Sequence, residues 1–212
     1  MNPEDLLLII DVQLDFCPGG RLAIADGDAI LPVLHDVAKS FDHIILTQDW
    51  HPEGHSSFAS QHPGRKPYEV VQAPYGPQTL WPDHCTQGSA GAEFHSGLAE
   101  IADRAEMILR KGFRREIDSY SAFYENDKTT PTGMAGYLRE RGFRRIFLAG
   151  LAYDFCVRYS AVDAVRAGFE SFVLEDACRA VNLPGTVSDT NADFAANGVQ
   201  RIQTYQLPDL GA

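Results

Sequence analysis

The sequence predicts an α/β fold: an open, mainly parallel six-stranded sheet with helices on both faces, in three layers. Short apolar runs recur along the chain, and helical patterns lie between them. Continuous apolar runs are typical of strands buried on both faces, and their alternation with helices favours parallel strands joined by right-handed crossovers. At 212 residues and 44% hydrophobic composition, residues 1–212 are expected to form a single domain.

Six segments carry the strand pattern and three carry the helix pattern. The predicted strands are Leu6–Ile10, His43–Thr47, Ala105–Leu109, Arg145–Ala149, Ser171–Leu174 and Arg201–Thr204. The predicted helices are Ala29–Phe41, Thr132–Gly142 and Cys156–Gly168. The last two of these helices end in glycine, a residue that commonly stops a helix. A further helix is expected before the final strand.

Residues 48–90 do not follow the alternation of strands and helices. This region is rich in proline, glycine, histidine and aromatic residues, as in HPGRKPYEV and APYGPQTLWPDHC. Loops of this length inside a compact domain usually either have a function or are disordered. The aromatic and proline content favours an ordered lid inserted into the sheet fold.

Charge and apolar patterning exclude several classes of partner. A formal net charge of −11 argues against nucleic acid, which requires a basic face. No apolar stretch approaches the roughly 18 residues of a membrane span, and Glu4 and Asp5 stand where a secretory signal would carry positive charge. The four cysteines form no C-x-x-C pair. We therefore expect a cytoplasmic protein with reduced thiols and no membrane partner, and the sequence leaves a homo-oligomer open.

Four polar residues are expected at the carboxyl edge of the sheet. Asp11 follows the first predicted strand directly, Asp49 follows the second after one residue, and Lys111 comes just past the third. Cys156 follows the fourth strand and a short turn, in the expected first turn of the next helix. Ligands of open parallel sheets bind outside the carboxyl ends of the strands. One such residue could be ordinary loop, but an acid, a base and a thiol on the same edge indicate a catalytic site.

These residue types support nucleophilic catalysis. A cysteine at a helix N-terminus experiences the positive end of the helix dipole, and a nearby lysine favours its thiolate further. Asp11 could take the thiol proton and return it to a leaving amine, while Lys111 keeps Asp11 ionised. No histidine is adjacent to Cys156, so an Asp/Lys arrangement is at least as plausible as a Cys/His one. The other three cysteines are expected to be buried packing residues.

Several motifs together carry a resemblance to a known family. They are D-x-Q-x-D-F (Asp11–Phe16) followed by CPGG, QDWHP (Gln48–Pro52), WPDHC (Trp81–Cys85), KGF (Lys111–Phe113), DSYSAF (Asp118–Phe123) and GLAYDFCV (Gly150–Val157). In order and spacing, over nearly the whole chain, they resemble the nicotinamidase (pyrazinamidase) branch of the isochorismatase-like cysteine hydrolases. Each motif alone is weak evidence, whereas the set is specific.

The resemblance implies a catalytic triad and a metal site. The triad is expected to be Asp11, Lys111 and Cys156, the residues already indicated by their positions. The metal ligands are expected to be Asp49, His51 and His84. Because Asp49 and His51 are two residues apart, both side chains face one side of an extended segment. This mixed oxygen and nitrogen set with open positions suits one divalent metal ion, Zn²⁺, Fe²⁺ or Mn²⁺.

His55 and Ser57 lie in the same loop as the first two expected ligands. Some members of the family carry an additional ligand in this loop, at a position nearer to Ser57 than to His55. We interpret His55 as a residue that supports the ligands and packs the loop, since metal ligands need such partners. The remaining histidines have no expected functional role.

The resemblance also assigns the substrate pocket. Phe16 and Trp81 are expected to wall the pyridine ring, with Tyr120 near the pocket and Gln13 assisting the metal or its waters. If either Phe16 or Trp81 stood alone, ordinary core packing would be the better interpretation. The metal is expected to bind the ring nitrogen, directly or through water, and so orient the carboxamide towards the cysteine.

The oxyanion hole is expected in GLAYDFCV. The family has a cis peptide before the alanine, here Leu151–Ala152, and the resemblance implies that the backbone N–H groups of Ala152 and Cys156 bind the developing oxyanion. Tyr153 stands where the family usually has threonine. This departure concerns local packing and the pocket rim, not the backbone donors.

The expected activity is metal-dependent hydrolysis of nicotinamide to nicotinate and ammonia through a cysteine thioester, with pyrazinamide as an analogue, in NAD salvage. Three alternatives remain open: another small amide, an isochorismate-type vinyl ether, and a non-catalytic fold with a structural metal. The family members that act on isochorismate lack the D-W-H pair, so QDWHP argues against the second alternative. Removal of the metal would test the third.

Overall fold

A computed structural model describes residues 1–210 of the chain. The strands are β1 (Asp5–Ile10), β2 (Ile44–Asp49), β3 (Val70–Ala73), β4 (Gly76–Thr79), β5 (Met107–Lys111), β6 (Arg145–Leu151), β7 (Glu170–Arg179) and β8 (Gln200–Ile202). The α-helices are α1 (Leu31–Ala38), α2 (Ala99–Ala102), α3 (Met134–Arg141), α4 (Arg158–Arg166), α5 (Thr186–Asn197) and α6 (Leu207–Leu210). Within these residues, every helix is too short or too polar to cross a membrane.

The main sheet has six strands in the order β5-β2-β1-β6-β7-β8, and each neighbouring pair is parallel. This confirms the predicted fold class, and each of the six predicted strand segments overlaps one of these strands. The chain moves outward from β1 to one side through β2 and β5, then returns to the other side of β1 at β6. The carboxyl ends of β1 and β6 therefore flank the switch point at which open parallel sheets bind ligands.

Helices cover both faces of the sheet, as the buried side chains of β1 illustrate. Leu7 and Ile9 belong to one hydrophobic cluster, which includes α1 and α6. Leu6, Leu8 and Ile10 belong to the other, which includes α3, α4 and α5. Because successive side chains of a strand point to opposite faces, alternate residues of a fully apolar strand are buried in two different hydrophobic clusters, one on each face of the sheet.

Two element boundaries differ from the predictions in ways that affect the site. Strands β2 and β5 run two residues further than predicted, so Asp49 and Lys111 are their last residues and are paired in register. Cys156 does not begin a helix. It lies in a π-helical turn, Tyr153–Val157, which precedes α4.

Residues 48–90 contain an antiparallel hairpin, β3–β4, which the sequence patterns do not predict. Isolated bridges join His51 to Thr86 and Phe58 to Trp81. The region therefore folds back on itself and returns to the carboxyl edge of the sheet with WPDHC beside QDWHP.

Candidate active site

The carboxyl ends of four strands bring the predicted triad and Asp49 together. Asp11 directly follows β1, Asp49 and Lys111 end β2 and β5, and Cys156 lies in the turn after β6. Lys111 Nζ is 2.7 Å from Asp11 Oδ2, 2.5 Å from Asp49 Oδ1 and 3.4 Å from Cys156 Sγ. All four residues are buried, and Asp11 has no exposed surface. The ammonium group is therefore the common neighbour of two carboxylates and the thiol.

Asp11 is oriented by its neighbour on β2. The Thr47 hydroxyl donates to Asp11 Oδ1 over 2.6 Å, and the Asp11 backbone N–H donates to Thr47 Oγ1 over 3.2 Å. The other carboxylate oxygen, Oδ2, faces Lys111. One oxygen thus anchors the side chain, and the second remains directed at the reacting groups.

The electrostatics of the cluster distinguish the two carboxylates. Burial raises the pKa of Asp11, and Lys111 opposes this shift only in part. Burial alone would also raise the pKa of Asp49, but Lys111 and His51 hold the pKa of that carboxyl well below its usual range. Asp11 is therefore the carboxyl group that can take up a proton during a reaction, whereas Asp49 remains an anion.

The cysteine and the lysine have raised pKa values for different reasons. Burial raises the pKa of the Cys156 thiol well above its usual range, against the effect of Lys111. Burial alone would lower the pKa of Lys111, but the carboxylates of Asp11 and Asp49 raise it well above its usual range. The raised pKa of Cys156 favours the thiol over the thiolate, so its activation requires a base within reach, the role that the sequence predicts for Asp11.

The predicted metal ligands form a group that can hold a metal ion. Ligand atoms of Asp49, His51 and His84 lie within 4.8 Å of one another. His51 Nδ1 is 3.0 Å from the Gly112 carbonyl, and His84 Nδ1 is 2.8 Å from the Pro82 carbonyl. These contacts place a ring proton on Nδ1 and leave each Nε2 facing Asp49 Oδ2, at 3.3 and 3.4 Å. The donor set and its orientation suit a divalent ion.

Gly112 is a glycine because the His51 ring lies against it. Its φ is +67°, and an added Cβ would approach His51 Cε1 within 2.5 Å. The lysine of KGF is thus followed by a residue that lets a metal ligand pack directly on the backbone.

His55 and Ser57 lie next to the ligands, and both ring nitrogens of His55 have protein partners. The Ser57 N–H donates to His55 Nδ1 over 3.2 Å, so the ring proton is on Nε2 and is donated to the carbonyls of Arg114 and Ile117, at 2.9 and 3.1 Å. The His55 ring packs against the His51 ring, with centroids 4.3 Å apart and the ring planes tilted by 46°. His51, His55 and Asp118 could by distance form a second metal group, but the engaged nitrogens favour the supporting role for His55.

A cavity lies between the cysteine and the metal group. Its lining residues are Phe16, Leu22, Asp49, His51, Trp81, His84, Asp118, Tyr120, Ala152, Phe155, Cys156 and Val181. Trp81 packs edge-on against Phe155, with ring centroids 4.7 Å apart, and Phe16 packs edge-on against His84 at 5.4 Å. The aromatic lining suits a flat ring, and both the thiol and the metal group lie in the cavity wall.

Gln13 is placed differently from the expectation. Its side-chain amide donates to the backbone carbonyls of Asp49 and Ala92 over 2.8 and 2.9 Å, and it accepts the Asp49 N–H over 2.7 Å. It is fully buried outside the cavity lining. Its amide is therefore committed to the backbone of a metal ligand rather than to substrate or water.

The turn at GLAYDFCV has the backbone that the resemblance implies, because the Leu151–Ala152 peptide is cis. Both Ala152 and Cys156 line the cavity, and their role as oxyanion donors stays a prediction. The Tyr153 hydroxyl is 2.6 Å from Asn191 Oδ1 on α5. The tyrosine at the position of the family's usual threonine therefore packs against α5 and does not line the cavity.

Several residues of the cavity lining had no predicted role: Leu22, Asp118, Phe155 and Val181. Asp118 is the most polar of them, with Oδ1 4.0 Å from His51 Nε2. It opens the DSYSAF motif, so its position was visible in the sequence although its contact with the metal group was not. No local sequence pattern distinguishes the three apolar residues from ordinary core residues.

Comparison with known proteins finds relatives of this chain by sequence and by fold. Residues 5–203 match the isochorismatase domain family. The chain is 50% identical to a nicotinamidase of Acinetobacter baylyi, over 95% of this chain and 93% of the relative. It is similar to the structure of PnC1 from L. infantum in complex with nicotinate, with TM-score 0.83, 40% identity and coverage of 97% and 96% of the two chains. A pyrazinamidase of Pyrococcus horikoshii in complex with zinc has TM-score 0.75 and 32% identity, with coverage of 95% and 99%.

Proposed function

The chain belongs to the isochorismatase family, and from this premise we propose that it is a nicotinamidase, an amidohydrolase that converts nicotinamide to nicotinate and ammonia. The observation that carries the proposal is the contact of Lys111 with Asp11 and Cys156 at one end of an aromatic cavity, beside a metal group. The 50% identity to a nicotinamidase and the nicotinate complex of a relative support this substrate. Pyrazinamide, which has the same shape and carboxamide, is expected to be a second substrate.

Catalysis begins with proton transfer from Cys156 to Asp11. The thiolate attacks the carboxamide carbon, and the oxyanion is bound by the N–H groups of Ala152 and Cys156. The C–N bond then breaks, and ammonia leaves with the proton that Asp11 received. Water then adds to the resulting thioester while Asp11 takes one of its protons. The C–S bond breaks, Asp11 returns that proton to the Cys156 sulfur, and the product leaves as nicotinic acid, which ionises to nicotinate in solution. Lys111 remains an ammonium ion throughout and compensates the charge of Asp11.

Asp49, His51 and His84 are proposed to hold one divalent metal ion, Zn²⁺, Fe²⁺ or Mn²⁺. When bound, such an ion supplies a Lewis acid that binds the ring nitrogen of the substrate, directly or through water. The zinc complex of the Pyrococcus horikoshii relative supports the binding of a divalent metal ion. His55 and Ser57 are proposed to keep the His51 ring in place.

Phe16 and Trp81 are proposed to form the aromatic walls that contact the pyridine ring, and Tyr120 is proposed to close the cavity beside them. All three residues line the cavity, and the first two are almost fully buried. Buried aromatic walls exclude water from the ring while leaving the carboxamide facing the thiol.

We propose further that residues 1–212 act as one hydrolase domain, with residues 48–90 as its metal- and substrate-binding region. The catalytic groups come from strand ends on both sides of the switch point, so no part of the sheet would carry the site alone. Because the mechanism requires a free thiol at Cys156, a reducing compartment such as the cytoplasm is the proposed location.

The substrate assignment predicts that the metal-loaded protein releases ammonia and nicotinate from nicotinamide in equal amounts. Ammonia is measured with a coupled dehydrogenase assay and nicotinate by chromatography. Pyrazinamide is expected to be hydrolysed in the same assay. Ammonia release from another small amide but not from nicotinamide would favour the alternative, an amidohydrolase of the same family with a different substrate.

Metal removal is expected to abolish ammonia release while changing the melting temperature little. None of the three ligands is a member of either hydrophobic cluster, so the packing of the sheet core does not depend on the ion. Activity is measured after dialysis against a chelator and again after adding back zinc, iron(II) or manganese(II) separately. A collapse of the fold on chelation, without recovery of activity by any ion, would instead support a structural metal.

A further inference from the structure

Gln78 is a buried polar residue in an otherwise exposed hairpin. Along β3 and β4 the side chains are exposed or half-buried, except Gln78, which is 1% exposed. Burying an amide costs free energy unless its polar atoms form hydrogen bonds, so a hairpin anchored only by packing would carry an apolar residue at this position.

Every polar atom of the Gln78 amide has a partner. Nε2 is 2.7 Å from the Thr79 carbonyl, 2.9 Å from Asp118 Oδ2 and 2.9 Å from Tyr120 Oη. Oε1 accepts from the Tyr75 hydroxyl over 3.1 Å and from Asn126 Nδ2 over 3.2 Å. The carbonyl and the carboxylate accept only, so they fix which end of the amide is the nitrogen.

These contacts connect the hairpin to the wall of the cavity. Asp118 and Tyr120 both line the cavity, and Tyr120 Oη also accepts the Trp81 indole N–H over 3.1 Å. The Tyr120 hydroxyl therefore bridges Gln78 and Trp81, because it accepts a hydrogen bond from each side chain. In addition, Gln78 holds Asp118, whose other oxygen is 4.0 Å from the metal-group residue His51.

We propose that Gln78 is a positioning residue for the substrate ring: it sets the place of Trp81 and Tyr120 relative to Asp118, and so the width of the ring-binding end of the cavity. Gln78 does not line the cavity, and it acts through the residues that do. Its loss should therefore weaken ring binding more than it slows the chemistry at Cys156. This inference deepens the proposed function and rests on it for the substrate only.

Gln78→Glu is the sharpest substitution, because it keeps the shape and replaces the donor opposite Asp118 with a second carboxylate oxygen. Like charges at this distance repel, and the hydrogen bonds from Nε2 to the Thr79 carbonyl and to Asp118 Oδ2, which accept only, are lost. We expect KM for nicotinamide to rise about 10- to 100-fold and kcat to change by less than about 3-fold. Gln78→Met, which removes the polar atoms without adding charge, should act in the same direction with a smaller effect.

The matched control is Gln72→Glu on the neighbouring strand. Gln72 is exposed, and within residues 1–210 its one side-chain hydrogen bond is to the adjacent Ala73 carbonyl, at 3.3 Å. The same change of charge in the same hairpin should therefore leave KM and kcat unchanged. An equal effect of both substitutions would mean that hairpin charge, and not the Gln78 contacts, determines KM, and would overturn the proposal.

Two measurements that do not depend on catalytic activity distinguish a positioning role of Gln78 from a general disruption of the fold. The chain has two tryptophans, Trp50 and Trp81, so its NMR spectrum has two indole N–H signals, which Trp50→Phe assigns. Gln78→Glu and Gln78→Met should shift the Trp81 signal, and Gln72→Glu should not. The rate at which iodoacetamide alkylates Cys156, measured by peptide mass, should stay within about 3-fold, because this small reagent does not use the ring-binding wall.

An unshifted Trp81 signal, or a fall in Cys156 alkylation that parallels the fall in kcat/KM, would overturn the proposal. If Gln78→Glu does not fold, the same readouts on Gln78→Met decide. If the unsubstituted protein releases no ammonia from nicotinamide, the proposed substrate fails, while the indole signal still reports whether Gln78 holds the Trp81 ring.

Discussion

Cys156→Ala is expected to lower ammonia release by at least about 10⁴-fold, because no other residue at the site can form the thioester. The fold should persist, since the substitution removes one sulfur atom at the edge of a cavity. A cost of about 1 kcal/mol corresponds to a shift of about 2–4 °C in Tm for a domain of this size. Nicotinamide binding, measured by calorimetry on the metal-loaded variant, should remain, because the ring-binding wall and the metal group are untouched.

The matched control for this variant is Cys178→Ala. Cys178 is also a buried cysteine, 4% exposed, but it lies on β7 and does not line the cavity. It should keep its activity and show a comparable small loss of stability. Substantial ammonia release by Cys156→Ala, with Cys178→Ala behaving normally, would contradict the covalent mechanism and transfer the role of nucleophile to water.

The proximity of Asp11, Lys111 and Cys156 could be predicted from position alone because a parallel sheet leaves little freedom at its carboxyl edge. Once Leu6–Ile10 is identified as a strand, Asp11 must leave the sheet at that edge, and the same holds for the residues that end β2 and β5. In the structure this edge brings Lys111 Nζ within 3.4 Å of the thiol. Strand identity therefore determined most of the site before any side-chain geometry was known.

The features that the sequence did not predict are those that leave no periodic pattern of apolar residues in the local sequence. The β3–β4 hairpin has short, exposed strands that contain glycine and proline, and its one buried residue is the polar Gln78. The π-helical turn at Cys156 merges with α4, so the run reads as one helix. The direction of the Gln13 amide depends on backbone groups that come from residues far along the chain. Only tertiary structure determines these features.

Lys111→Met is expected to destabilise the protein as well as inactivate it, unlike Cys156→Ala. Lys111 is 1% exposed and lies between two carboxylates that are themselves buried. Removal of one partner from a buried ion cluster leaves uncompensated charge and typically costs roughly 3–5 kcal/mol. Urea unfolding measures the loss, and the ammonia assay should show little remaining turnover. Lys39→Met, which removes an exposed ion pair with Asp36, should change neither measurement.

The double variant Asp11→Asn/Lys111→Met separates the two roles of the lysine. It removes one negative and one positive charge, so the buried cluster returns to the net charge it has in the unsubstituted chain. The amide oxygen introduced by Asp11→Asn can still accept the Thr47 hydroxyl, which donates to the Asp11 carboxylate over 2.6 Å in the unsubstituted chain. A substantial part of the lost stability should therefore return, while activity should not, because the base that takes the Cys156 proton is gone. If the double variant were as unstable as Lys111→Met, the stabilising effect of Lys111 would come from packing of its side chain or from compensation of the Asp49 charge, and not from compensation of the Asp11 charge.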